Sequence, residues 1–490
     1  MKLTKISLAL VAACGAMSSG SVFALAPSNY TNTSEFVGTT QNIRISGATA
    51  QDNGILGSAL SLCTAGSLHR FEISNNFAYF CTPDIGTGAG QITVRTGTPA
   101  VTQLAIYKYS AGGSGNGVGP VNLNQTLPFL DLAKIATSPA CSGTNLTTSN
   151  LDFDGTGSLS TYVNMKCGGA SSLLTTGATT YIGLSDVEPA FFTTNTTNLL
   201  AETAYSLIFA VPVTKNIRDA LQTQQGLTAG SDTLANMPSL SRAQVTSAFT
   251  QAGQSWAGIG VTSGLTDDTI YVARRVDSSG TQKTFEALIA RTPNGESAYK
   301  SCHNSVDTFV TPDSGVTGLT TGDADTTCNS PTAQPLVYGG SGGGNVSNCL
   351  NYHNLQGRGA IGMQTGETKP GTFNFRYVKV DGAAPTQADV AAGKYTLYVD
   401  SSINTRVNVN PTASAAGYSA FVTRLKADFK NASIIKLING TDQSFGPSGL
   451  MASYDAAVSP DYTGASSVIP WNKLVGGATV DNCQAPKASF

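Results

Sequence analysis

Four short segments of this 490-residue chain combine residue types that could hold an anion. Arg274-Arg275-Val276-Asp277-Ser278-Ser279-Gly280-Thr281 follows an apolar run and opens a helix-like one, Gln282 to Ala290. A helix start offers unpaired N–H groups and about half a positive charge, so hydroxyls and a guanidinium placed there make an oxyanion pocket. Ser46-Gly47-Ala48-Thr49-Ala50, Gly112-Gly113-Ser114-Gly115-Asn116-Gly117 and Gly183-Leu184-Ser185-Asp186 each close an apolar run with small residues. Such turns let backbone N–H groups come close to a ligand, and in open α/β sheets ligands collect at strand ends. Taken alone, the arginine segment reads equally well as a capped helix beside a surface arginine.

Strands and helices must position these turns. The pattern predicts strands at Asn42 to Ile45, Gln103 to Tyr109, Tyr205 to Val213, Thr269 to Arg274, Phe373 to Val380 and Tyr395 to Val399. It predicts helices at Thr214 to Gln224, Ser241 to Gln251, Gln282 to Ala290 and Ala416 to Lys430, with a helix-like run at Ile55 to Leu62. Ser241 and Gln244 have capping-box spacing. Strands interleaved with helices point to an α/β class with mixed sheets. Thr137 to Thr180 and Pro312 to Gly344 are rich in Thr, Gly and Ser and read as surface insertions pinned by cysteines.

Charged residues are 12% of the chain and the formal net charge is -2. That is about half the usual charged share, and it argues against a nucleic-acid partner gripped by a dense basic stripe. Single cores stop growing at about 250–300 residues, so the length implies several domains or one two-lobed body. Lys2 and Lys5, the apolar stretch Ile6 to Met17, and the small residues Val22, Ala24 and Ala26 read as a secretory signal over 1–24, with cleavage after Ala24 or Ala26. Val11-Ala12-Ala13-Cys14 competes as a lipobox, but the apolar run before it is short. No segment is long enough to span a bilayer.

Cleavage removes Cys14 from nine cysteines, and an even number in an exported chain suggests four disulfides. Proximity in sequence pairs Cys63 with Cys81, Cys141 with Cys167 and Cys302 with Cys328, leaving Cys349 with Cys483. No CxxC occurs and there are three histidines, so no metal site or cofactor is expected. Gly339-Gly340-Ser341-Gly342-Gly343 matches the hydrolase nucleophile pattern, but no helix is predicted after it and His353 is close in sequence. Asn150 to Gly155 begins like a calcium loop, yet its twelfth position is Thr161 rather than Glu.

The four segments, in this order, resemble those of the periplasmic phosphate-binding proteins that serve phosphate ABC transporters. That family has an Arg-x-Asp-Gly-Ser-Gly-Thr segment opening a helix, and Arg275 to Thr281 departs from it only at Ser278. Tyr205 to Asn216, Leu240 to Trp256, Gly359-Ala360-Ile361-Gly362 and Val378 to Tyr395 resemble further landmarks of the family. The resemblance implies a two-lobed type II periplasmic-binding-protein fold, each lobe a mixed sheet flanked by helices, here with disulfide-pinned insertions. Lobe I would take 27–203 plus 400–490, and lobe II 204–399.

It also implies roles. Arg275 would pair with a phosphate oxygen, Asp277 would hold that guanidinium, and Ser279, Gly280 and Thr281 would donate hydroxyl and backbone hydrogens. Thr49 and Ala50 would donate from the other lobe, and Ser114 would add a hydroxyl. Asp186 would accept a proton from the ligand and so favour hydrogen phosphate over sulfate. The implied protein is an exported, non-enzymatic monomer that captures phosphate or a related oxyanion in the periplasm or outside the cell, with an ABC permease as candidate partner. The alternatives are an adhesion or matrix protein that reuses the fold and, behind it, a phosphatase-like enzyme.

Overall fold

The computed structural model describes residues 40–490 apart from 74, 85–101, 142–144, 149–160, 169–170, 181, 290–308, 314–316, 319–326, 329–334, 408–412, 454–466, 476–478 and 490. The signal segment, Cys302 and the calcium-like loop lie outside the described residues.

In the first part of the chain, β1 (Thr40–Gly47) and α1 (Asp52–Leu62) are followed by β2 (Leu68–Ile73), β3 (Asn76–Cys81) and β4 (Gln103–Tyr109). Then come β5 (Asn145–Thr148), β6 (Thr161–Lys166), β7 (Ile182–Ser185) and the long β8 (Leu199–Thr214). Helices α2 (Lys215–Gln224) and α3 (Arg242–Thr250) precede β9 (Tyr271–Arg275) and α4 (Gly280–Leu288). β10 (Val337–Gly340), α5 (Gly343–Leu355), β11 (Ala360–Gly362), β12 (Phe375–Val380) and β13 (Tyr398–Arg406) come next, and α6 (Ala413–Lys430) and α7 (Ala432–Asn439) follow.

Two mixed sheets result. In the first, β1 runs parallel to both β4 and β7, β7 pairs antiparallel with β13, and β13 with the start of β8. On the other side β4, β3 and β2 form an antiparallel meander that continues into β6 and β5. In the second sheet, the end of β8 pairs antiparallel with β12 and β11, and β9 lies parallel between β11 and β10. β8 therefore crosses from one sheet to the other. Its residues Tyr205 to Thr214 are all buried, as a strand covered on both faces requires.

Helices cover the sheets where the chain supplies apolar faces. α1 packs on the C-terminal helices: Ser58 Oγ donates to Asp428 Oδ2 at 3.0 Å, and the Phe429 ring meets Tyr205 edge-on with centroids 4.7 Å apart. Phe285 of α4 sits edge-on to Phe209 of β8 and Phe249 of α3. The Ser241–Gln244 capping box forms and starts α3. The architecture is mixed α/β, with helix-flanked mixed sheets and disulfides, as expected.

Three expectations need correction. Thr137 to Thr180 is not merely a surface insertion, because β6 pairs parallel with β2 and extends the first sheet. Pro312 to Gly344 contains β10, a fully buried strand of the second sheet. Disulfides join Cys63 to Cys81 and Cys141 to Cys167, but the third joins Cys328 to Cys349. Cys349 lies buried on α5, and at a separation of 21 residues it is nearer to Cys328 in sequence than Cys302 is. Cys483 is also disulfide-bonded. Among the described residues, no helix is long and apolar enough to cross a membrane.

Candidate functional site

The ends of β1 and β7 and the turn after β4 converge because glycines let their backbones touch. The Ala48 amide donates to the Leu184 carbonyl at 2.9 Å, and Ser46 Oγ donates to the Asn116 carbonyl at 2.6 Å. Gly47 has φ of +115°, and a Cβ on Gly117 would stand 2.1 Å from the Leu184 oxygen, so only hydrogen fits at this contact. Three of the four segments are thereby gathered on the first sheet. Ser114 is fully buried, and its Oγ accepts from the Asp186 amide at 3.0 Å.

The fourth segment arrives from the second sheet. The Gly115 amide donates to the Ser278 carbonyl at 2.8 Å. A Cβ on Gly280 would lie 2.3 Å from Ser114 Oγ and 2.8 Å from Asp186 Oδ2, so the start of α4 rests directly on both groups. One on Gly113 would stand 3.2 Å from the Ser279 Cα. Ser114, Asp186, Ser279 and Gly280 thus meet where the two sheets face each other.

Arg275 ends β9, in register with Gly340 of β10. Its Nε donates to the Gly340 carbonyl at 3.0 Å, Nη2 to the Ser341 carbonyl at 2.7 Å and Nη1 to Thr281 Oγ1 at 3.3 Å. Carbonyls orient the buried guanidinium without cancelling its charge. The expected brace from Asp277 is not formed: Asp277 pairs with Arg274 and its side chain is 79% exposed. Neighbouring strand residues point to opposite faces, so Arg274 and Arg275 diverge and Asp277 follows Arg274.

Two buried polar atoms at this junction have no hydrogen-bond partner among the described residues, Ser279 Oγ and Asp186 Oδ1. Ser279 is the N-cap of α4, yet its side chain makes no capping bond. Buried polar groups are nearly always paired, so two unpartnered ones at a helix start beside a guanidinium mark this junction as a candidate site for a polar ligand. Burial pushes the Asp186 carboxyl up to about 6, against the pull of Arg275, Ser114 and Lys108. Burial also lowers Arg275 to about 10, opposed by Asp186. A buried carboxyl raised into this range can take up or share a proton that an anion brings.

Thr49 and Ala50 follow β1 in a 3-10 turn; Thr49 is half-buried and Ala50 buried. A residue that sequence reasoning missed braces this turn. Lys108, fully buried, donates from Nζ to the carbonyls of Gly47 at 2.8 Å and Ala48 at 3.1 Å, and lies 3.3 Å from Asp52 Oδ1. The signal for it was a lone lysine inside the apolar run Leu104 to Tyr109. Glu367 was also missed: burial pushes it up to about 7, and its Oε1 accepts from Thr365 Oγ1 at 2.6 Å. No local pattern marks it.

The hydrolase-like motif has a structural use instead. A helix, α5, does follow it, contrary to expectation. Ser341 Oγ donates to Asn345 Oδ1 at 3.2 Å while the Ser341 carbonyl holds Arg275. His353 sits near the far end of α5, roughly 15 Å along the axis at 1.5 Å per residue, with Nε2 3.7 Å from Cys328 Sγ. Burial drives His353 down to about 3. Ser341 and His353 are not a nucleophile–base pair.

No protein-family model matches the chain, and neither does any curated protein sequence. Among solved structures, a protein assigned as a phosphate ABC transporter substrate-binding protein, with bound phosphate, from Clostridium perfringens is similar at 13% identity and a TM-score of 0.37, over 81% of this chain and 98% of that one. PstS from Borrelia burgdorferi is similar at 10% identity and a TM-score of 0.31, over 78% of this chain and 92% of that one. An ABC-type phosphate transport receptor from Vibrio cholerae is similar at 18% identity and a TM-score of 0.28, over 50% of this chain and 74% of that one.

Proposed function

We propose that this is an exported solute-binding protein that captures inorganic phosphate or a related tetrahedral oxyanion between two lobes, without chemical conversion. Lobe I is taken as 27–203 plus 400–490 and lobe II as 204–399, and an ABC permease is the candidate recipient of the ligand. One observation carries the reading: a buried guanidinium, a buried carboxyl and a serine hydroxyl meet at the start of α4, with Asp186 Oδ1 and Ser279 Oγ lacking partners among the described residues. That set supplies positive charge, a hydroxyl donor and a proton acceptor or donor to one anion. Thr49, Ala50, Ser114, Gly280 and Thr281 complete the ligand's surroundings.

The motif resemblance of Arg275 to Thr281 supports the same reading. Calorimetric titration of the purified protein with phosphate, arsenate and sulfate tests it, after any co-purified ligand has been removed by partial unfolding and dialysis. The reading expects heat with phosphate and arsenate and a weaker response to sulfate. No heat with phosphate sinks it.

A further inference from the structure

The chain's last segment returns to the crossing and grips the loop that carries Asp186. Asn482 is buried between that loop and β13. Its backbone N–H donates to Glu188 Oε1 at 3.0 Å and its Nδ2 to Glu188 Oε2 at 2.6 Å, so both carboxylate oxygens are held. The same Nδ2 donates to the Asp400 carbonyl at 2.9 Å, while Oδ1 accepts from the Asp400 amide at 2.7 Å. Both side-chain donor hydrogens and the carbonyl are in use.

Glu188 stands two residues beyond Asp186, and the intervening Val187 carbonyl accepts from Ser402 Oγ of β13 at 3.3 Å. The segment that presents Asn482 is itself anchored. The Lys473 amide donates to Asp400 Oδ2 at 2.7 Å, the Asp481 amide to the Lys473 carbonyl at 2.9 Å, and Cys483 is disulfide-bonded. Asp400, Glu188 and Asn482 are all buried, so the contact is not a surface accident.

We propose that Asn482 is a positioning residue: by clamping Glu188 to β13 it sets where the Asp186 carboxyl lies against Ser114 and Gly280. The inference rests on the oxyanion reading only for its effect on ligand choice. Its effect on Asp186 exists without any ligand.

The test follows the Asp186 carboxyl by carbon-13 NMR titration in ligand-free protein, with the resonance assigned by its loss in Asp186→Asn. In the wild type burial pushes this carboxyl up to about 6. In Asn482→Ala the loop loosens and gains solvent, and the midpoint falls by about one unit, the direction that relief of desolvation gives. Asn482→Ser, which keeps a donor and is the milder change, shifts it less and covers the case in which alanine does not fold. An unmoved midpoint in a folded variant overturns the proposal. Calorimetry adds a second reading: Asn482→Ala reduces the preference for phosphate over sulfate about tenfold, and Asp186→Asn added to it reduces it no further. A preference that survives intact also overturns it. If the wild type takes up no phosphate, the oxyanion reading fails and the titration still decides the role of Asn482.

Discussion

At the scale of single residues, the proposed function divides the work of recognition between Arg275 and Asp186. Arg275 is held by carbonyls that leave its charge available, so Arg275→Ala should cost at least about a hundredfold in phosphate affinity, as loss of a buried charge partner does. Asp186→Asn should instead narrow the preference for phosphate over sulfate by about tenfold, measured as the ratio of the two calorimetric affinities. Asp186 and Glu367 also carry a pH signature, because burial pushes them up to about 6 and about 7 from 3.8 and 4.5. The folded protein keeps these protons at pH values where the unfolded chain has released them. Stability therefore falls as pH rises from about 4 to 7. Scanning calorimetry of ligand-free protein should give a higher Tm at pH 5 than at pH 8, with the difference reduced in the double variant Asp186→Asn, Glu367→Gln. The Arg275 segment was legible because strand, turn and helix start are adjacent in sequence, whereas Asp186 was singled out only by the family resemblance. Lys108 and Glu367 were not, because their importance comes from partners on distant elements.

At the scale of elements, the site depends on how closely the start of α4 approaches the turn after β4. Gly280 has no room for a methyl group, since a Cβ there would meet Ser114 Oγ at 2.3 Å. Its position at the first turn of α4 itself accepts alanine, so the cost falls on the contact between the sheets rather than on the helix. Gly280→Ala should weaken phosphate binding by about tenfold or more and increase the radius of gyration seen by small-angle scattering with ligand present, because the start of α4 can no longer rest on the turn after β4. The same proximity explains the error over Asp277. A carboxylate two residues from Arg275 looked like its brace, but strand alternation gave it to Arg274. Element limits read well where the apolar run is uninterrupted, as for β4, whose bounds match the predicted Gln103 to Tyr109. They read poorly for β13, which begins at Tyr398 rather than Tyr395, because Tyr395 leaves the sheet and donates its hydroxyl to the Phe209 carbonyl at 2.7 Å.

At the scale of the whole molecule, β8 crossing between the sheets and the C-terminal segment packed beside it make the junction a shared structure of distant parts. The Cys63–Cys81 disulfide lies apart from the site. Cys81 pairs with Leu104 at the start of β4, whereas the turn that carries Ser114 follows its other end. Replacing Cys63 and Cys81 together by serine should lower stability by about 3 kcal/mol in denaturant unfolding, the entropy of a closed loop of this size. Phosphate affinity should stay within about twofold of the wild type, since that loop closes at the opposite end of the sheet.

Residue patterns alone placed the mixed α/β class, six of the thirteen strands named above, the main helices, the four small-residue turns and the helix start that follows Arg275. These follow from interactions among residues a few positions apart: periodic apolar faces, helix starts and glycine turns. Only the tertiary structure decided that Gly340 and Ser341 carbonyls hold Arg275, that Lys108 braces the turn after β1, that Cys328 bonds Cys349, and that Asn482 reaches Glu188 from 294 residues away. Those contacts depend on sheet register and on where β8 crosses, and no local pattern encodes either.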